Sequence, residues 1–77
     1  MEAEIISAVE AQFPDARVEV SLNGNKALIT VVSGVFESMS RVQKHQAVYR
    51  CIDAYIEDGR LHAVTIRALT PDQAQSA

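Results

Sequence analysis

Three side chains of this chain are of the types that ligate metals through nitrogen or sulfur: His45, His62 and the single cysteine, Cys51. A structural zinc site takes four such ligands, so the chain cannot complete one from its two imidazoles and one thiol. One cysteine also cannot form an internal disulfide. Any metal bound through these groups must therefore be shared with another molecule.

Covalent catalysis is poorly supported by the same residues. Cys51 has no histidine in helical register to act as its base, and its place at the border of an apolar helix face predicts an inert, packed thiol. Tyr49 and Tyr55 lie six residues apart, about 120° around a helix, and are predicted to pack with their hydroxyls near solvent. No acid–base pair or phosphate-binding loop is evident, so a stand-alone enzyme ranks last.

The charge balance opposes general nucleic-acid binding, because seven Lys+Arg against ten Asp+Glu give a net charge of −3. A solvated surface is the favoured interpretation of the cations, since isolated surface charges rarely mark a site. The alternative is a modest basic patch that binds a partner or nucleic acid. That patch would consist of Lys26, Arg41, Lys44 and Arg67.

Apolar residues at near-helical spacing over 2–12, led by Glu2 and Glu4, predict a first helix that ends before Pro14. Alternation over 17–22, a turn at 23–25 and a β-branched run over 27–32 predict a hairpin whose second strand is central in a sheet. Residues 35–38 fit a short helical turn.

Ser40 and Gln43 fit an S-x-x-Q capping box, which predicts a long helix from there through residue 57. Gly59 suits the C-terminal cap of that helix. Polar residues recur along one side at steps of three and four. The opposite side is predicted to face the core, and it carries Val42, His45, Val48, Tyr49, Ile52, Tyr55 and Ile56.

Residues 61–69 predict a last strand with two distinct faces. One face would carry His62, Val64, Ile66 and Ala68, and the other Leu61, Ala63, Thr65, Arg67 and Leu69. Residues 70–77 are predicted to form a frayed tail. The resulting order, α-β-β-α-(α)-β, predicts a single α+β domain with a three-stranded mixed sheet and helices on one face. A mean hydropathy of +0.02 and an acidic start without a long apolar run predict a cytoplasmic protein.

The segment from Phe36 to Pro71 resembles the BolA-like family, most closely its YrbA/IbaG branch. FESMSRVQKHQAVY and GRLHAVTIRALTP carry the resemblance, since their combination at this spacing is specific. The resemblance implies a fold similar to a class II KH domain. It also implies a non-enzymatic role in iron–sulfur trafficking or in iron and stress regulation, exercised with a monothiol glutaredoxin. A [2Fe–2S] cluster would be bridged between a glutaredoxin cysteine, a glutathione thiolate and the BolA-like partner.

The family's histidine ligand falls on His62 here. Its second ligand is usually a histidine or cysteine in the hairpin loop, where this sequence has Lys26. A protonated amine is a poor ligand for iron, so the second donor stays open between water, a neighbouring group and His45, as does docking without a cluster.

Two further alternatives remain at this stage. One is a DNA-binding transcriptional regulator that uses the helix-turn-helix character of residues 35–57. A KH-type clamp needs a G-x-x-G loop, however, and residues 33–36 contain only Gly34. The other is a homodimer through a sheet face that carries Ala63, Thr65 and Leu69.

Overall fold

The first helix, α1, spans Glu2–Gln12 in the computed structural model, which describes residues 1–76. Glu2 and Glu4 occupy its first turn, where the helix dipole favours anions. Ile5 and Val9 are buried against the core. The chain then turns at Phe13, whose ring lies 5.2 Å from that of Phe36.

Three strands form one mixed sheet in the order β1-β2-β3. The antiparallel pair β1 (Arg17–Asn23) and β2 (Lys26–Val32) is joined by a tight turn in which Gly24 has φ 63°. Strand β3 (Ala63–Leu69) runs parallel to β2. The central position of β2 and the mixed sheet confirm the predicted fold class.

One face of the sheet is covered by helices and the other is open. The register aligns the inward residues in rows across the three strands, as in the row Val20, Ile29, Ile66. β2 is the most buried strand because it has neighbours on both sides. Leu28, on the open face of β2, is 41% exposed.

A short 3-10 helix, Gly34–Ser38, leads into α2, Arg41–Glu57. The predicted capping box is confirmed: the Gln43 backbone N–H donates to Ser40 Oγ at 3.2 Å, and the Ser40 N–H donates to Gln43 Oε1 at 2.8 Å. Helix α2 buries Val48 and Ile52. No helix among residues 1–76 is long and apolar enough to cross a membrane.

The core-facing side of α2 is narrower than predicted. Val42, His45 and Tyr49 are exposed, Val42 by 61%, although the sequence placed all three on the core side. The stripe that packs on the core follows Val48 and Ile52, and the other three residues lie on its flank. The prediction was therefore wrong for these residues, because the core contacts of α2 follow a stripe narrower than the apolar face of its sequence.

The start of β3 also differs from the prediction. The predicted alternation grouped His62 with the core-facing Val64, and Leu61 with the outward Ala63. In the structure Leu61 is 1% exposed and His62 is exposed, so the two residues lie on the opposite sides from those predicted. The alternation holds only from Ala63 onward, because regular strand pairing begins there. Leu61 belongs to the preceding loop, and its N–H donates to the Tyr55 carbonyl at 3.0 Å.

The predicted frayed tail is a short helix over most of its length. Helix α3 spans Pro71–Ser76 and begins with a second reciprocal cap, in which the Thr70 N–H donates to Gln73 Oε1 at 2.9 Å. The Gln73 N–H donates in turn to Thr70 Oγ1 at 3.2 Å. Lys44 Nζ also donates to Gln73 Oε1 at 3.3 Å, so the tail is tied to α2. Ala77, the last residue of the predicted tail, lies outside the described residues.

Candidate functional site

His62 stands at the head of β3, beside the β1–β2 turn. Its backbone N–H donates to the Asn25 carbonyl at 2.9 Å, and its side chain is exposed. Ring atom Nε2 lies 3.0 Å from the carbonyl oxygen of Gly59. A carbonyl only accepts, so this hydrogen bond requires the proton on Nε2. In the neutral ring, Nδ1 then keeps the free lone pair that a metal ligand needs.

The loop before His62 is held in place by its own side chains. Asp58 Oδ2 accepts from Arg60 Nε at 2.8 Å, and Asp58 Oδ1 accepts from the Arg60 backbone N–H at 3.1 Å. The Arg60 guanidinium lies 4.4 Å from the centre of the Tyr55 ring, within the range of a cation–π contact. Gly59, at φ 84°, supplies the left-handed residue that ends α2. The sequence patterns did not indicate a role for Arg60, although an arginine two residues after a capping aspartate is a signal for such a loop-closing ion pair.

Lys26 lies where the resemblance places the loop position, close to the backbone of His62. It pairs with Ala63 across the β2–β3 ladder, next to Asn25. Within residues 1–76 no group of three or more His, Cys, Asp or Glu side chains is arranged to hold a metal. The loop and the histidine are therefore brought together, but the loop contributes an ammonium.

His45 lies too far from His62 to share a metal with it. It borders a hollow formed by residues 66–69, whereas His62 precedes β3. The five residue steps from His62 to Arg67 span about 16 Å of extended chain, while two ligands of one metal ion lie only a few ångströms apart. The His45 ring instead stacks on Tyr49 with 6.4 Å between ring centres.

The four predicted basic residues divide into two groups. Arg41, Lys44 and Arg67 line the same hollow. Lys26 lies on β2, four residues before Thr30, which is the residue that pairs with Arg67. That separation corresponds to about 13 Å along the sheet. Lys26 is therefore set apart from the other three cations, and a partner or nucleic-acid surface made of these residues stays a prediction.

Cys51 is half-buried on α2, and its thiol donates to the Ala47 carbonyl at 3.5 Å. Burial raises the pKa of this thiol, and the nearby Asp53 carboxylate raises it further. Both effects disfavour the thiolate, which is the reactive form. Cys51 therefore has the surroundings of a packing residue.

Fold and site together define a small α+β domain that displays an exposed imidazole at the head of an edge strand. Residues 9–73 match the family described as BolA-like protein, and the chain belongs to the BolA-like family. The resemblance noted from the sequence is thus confirmed.

The relatives differ in how much of their length they share with the chain. An Acinetobacter guillouiae protein, described as an uncharacterized protein in the rpoN-murA intergenic region, is 39% identical over 74 residues, which cover 96% of this chain and 89% of that protein. Acid stress protein IbaG of Escherichia coli K12 is 46% identical over 54 residues, which cover 70% of this chain and 64% of IbaG. BolA1 from Arabidopsis thaliana superimposes with a TM-score of 0.82 at 20% identity, covering 94% and 93% of the two chains, and shows the shared fold.

Proposed function

We propose that this chain is a BolA-like binding and regulatory protein that docks on a monothiol glutaredoxin. His62 supplies one ligand to a [2Fe–2S] cluster whose other ligands are a glutaredoxin cysteine and glutathione. The role is iron–sulfur trafficking or iron and stress regulation, as family membership implies. The observation that carries the proposal is the exposed imidazole of His62, anchored through Nε2 with Nδ1 free.

The donor set of the chain fits a shared cluster and does not fit one held by this chain alone. His62 has no second imidazole or thiol beside it, because His45 and Cys51 both lie on α2. Lys26, the nearest loop candidate, carries an ammonium that offers no lone pair. Most ligands must therefore come from the partner.

A histidine ligand gives such a shared site two properties. Replacing a thiolate by a neutral imidazole raises the reduction potential of a cluster. Ligation also competes with protons, so acid weakens it. A bridge of this kind is labile, which suits transfer or sensing better than long-term storage.

The test is anaerobic mixing of the chain with the cluster-loaded glutaredoxin dimer from the same cell, followed by visible circular dichroism. The wild-type chain should change the spectrum, and His62→Ala should leave it unchanged. His45→Ala is the matched control, because it removes an exposed imidazole at the other end of β3. An unaltered spectrum with the wild type, or an equal response from His62→Ala, would defeat the proposal.

Lys26→His provides a gain-of-function arm to the same experiment. It places an imidazole in the loop that adjoins the backbone of His62. We expect the mixed cluster to be lost more slowly from this variant on exposure to chelator, since two imidazoles replace one. Faster loss than in the wild type would contradict a ligating role for this end of the sheet.

DNA binding is the second candidate. The position of Arg41, Lys44 and Arg67 around one hollow favours it. The net charge of −3 and the missing glycine of a G-x-x-G clamp oppose it. Fluorescence anisotropy with labelled DNA at physiological salt tests it, since a DNA-binding protein loses affinity steeply as salt rises.

A further inference from the structure

Charge is segregated along α2 in the direction that its own dipole disfavours. Residues 41–50 contain three Lys or Arg side chains and no acid, whereas residues 53–58 contain three acids and no Lys or Arg. Anions are favoured at a helix N-terminus and cations at its C-terminus. Helix α1 follows that rule with Glu2 and Glu4. Departures from local rules tend to occur at functional surfaces. The reversed charge distribution therefore makes the cationic half of α2 a candidate functional surface.

The cationic half of α2 borders a hollow of about 320 Å³ at the edge of the sheet. Its cationic rim combines Arg41 and Lys44 of α2 with Arg67 of β3. The apolar residues Ile66, Ala68 and Leu69 also line it. The hollow therefore pairs positive charge with apolar surface.

The hollow lies along a free strand edge. Four consecutive β3 residues, 66–69, line it, although their side chains alternate between the two faces of the sheet. Consecutive residues of a strand border the same hollow only where that hollow lies beside the edge of the strand, because a hollow on one face would meet every second residue. In the described sheet β3 pairs only with β2, so its other edge has no strand partner. Such an edge is a template for an added strand.

The cations of the hollow have no acidic partner among residues 1–76. The ion pairs found there join the Met1 amino group to Glu4 and Arg60 to Asp58, both away from the hollow. Lys44 Nζ is bonded to the neutral amide oxygen of Gln73. The three cations that border the hollow thus have no acidic partner in the described part of a protein of net charge −3.

We propose that the hollow docks an extended acidic segment of a partner protein, which adds as a strand to the free edge of β3. The backbone of the segment supplies hydrogen bonds to β3, and its carboxylates meet Arg41, Lys44 and Arg67. A second copy of this chain is a poor occupant, because the same three cations would face each other across the pair. Duplex DNA matches the charge of the rim but cannot use the unpaired strand edge.

This surface is separate from the site of the proposed function. His62 and Arg67 are about 16 Å apart along β3. His62 precedes the strand, and the hollow lies at its other end. The two proposals therefore fail or succeed independently.

The test is fluorescence anisotropy of the full chain with a short labelled peptide in which pairs of adjacent glutamates alternate with valine, so that an added strand presents carboxylates to both faces of the sheet. Arg67→Gln should weaken binding about fivefold, the effect of losing one exposed ion pair. The triple variant R41Q/K44Q/R67Q should weaken it roughly tenfold or more. Lys26→Gln is the matched control, a cation on the same sheet outside the hollow, and should bind like the wild type. His62→Ala should also bind like the wild type.

Amide hydrogen exchange distinguishes strand addition from loose electrostatic attraction. Leu69 bonds toward β2, since its carbonyl accepts from the Ser33 N–H, so alternation leaves the N–H groups of Ile66 and Ala68 at the free edge. Added protection at Ile66 and Ala68 therefore reports hydrogen bonding to that edge. Should the triple variant unfold, Arg67→Gln alone carries the comparison. The proposal is overturned if the wild type does not bind the peptide, if a glutamine version of the peptide binds equally, or if Lys26→Gln is as weak as Arg67→Gln. Tighter binding of a DNA duplex than of the acidic peptide, or peptide binding without protection at Ile66 and Ala68, also overturns it.

Discussion

The backbone N–H of His62 donates to the carbonyl oxygen of Asn25 at 2.9 Å. Through this one bond the chain that leaves α2 meets the β1–β2 turn before β3 begins. The imidazole is therefore positioned from two directions, by the turn through its backbone and by Gly59 through Nε2. Changes in either loop should move the ring.

Gly59→Ala tests the loop on the α2 side. Gly59 has φ 84°, a conformation that costs an L-residue about 1–2 kcal/mol, while an added Cβ would meet no atom within 4 Å. The expected loss of unfolding free energy, about 1–2 kcal/mol by urea denaturation, is thus backbone strain. Gly34→Ala is the control. Its Cβ would lie 3.8 Å from Glu37 Oε2 without positive φ, so a change under about 0.5 kcal/mol is expected. Equal losses would contradict the strain argument.

Val48→Ala and Val42→Ala test the narrow core side of α2 with the same chemical change. Val48 is fully buried and Val42 is 61% exposed. Deleting two buried methyl-sized groups should lower the unfolding free energy by about 2 kcal/mol, whereas the exposed change should stay within about 0.5 kcal/mol. Both variants gain equally from the helix propensity of alanine. Similar losses in chemical denaturation would mean that Val42 packs on the core after all.

Cys51 should make the stability of the protein fall in alkali. Burial, and then Asp53, raises the pKa of its thiol above the ordinary value of 9.0 that the unfolded chain would show. The stabilising contribution of the neutral thiol is thus complete below that value and is lost as pH rises through the raised pKa. The difference in unfolding free energy between wild type and Cys51→Ser should be constant up to about pH 9 and then shrink. A difference that grows with pH would reverse the assigned sign.

Elements with local signals were predictable from the sequence. The Ser40–Gln43 capping box, the turn around Gly24 and the alternation of β1 each encode a boundary or a face within a few residues. The mixed sheet followed because a helical crossover between β2 and β3 makes those two strands parallel. The resemblance carried the position of His62 beside the hairpin turn, which composition alone does not give.

What escaped prediction depends on distances between elements. The exposure of Val42, His45 and Tyr49 depends on how α2 is rotated against the sheet, which the sequence of α2 does not determine. The separation of Lys26 from Arg67 follows from the β2–β3 register. The helix at the tail does carry a local start signal, the T-x-x-Q capping box of Thr70 and Gln73. The bond from Lys44 to Gln73, which ties this short helix to α2, joins residues far apart in the chain and has no local pattern.

The anchoring of His62 through Nε2 has a consequence for how a partner can approach its side chain. Nε2 is engaged by the Gly59 carbonyl at 3.0 Å, so Nδ1 is the ring nitrogen that remains open to another molecule. The loop of the chain itself, rather than the partner, thus sets the orientation of the ring. A group that bonds to the imidazole at Nδ1 meets a rotamer that is already fixed, so less side-chain entropy is lost on binding.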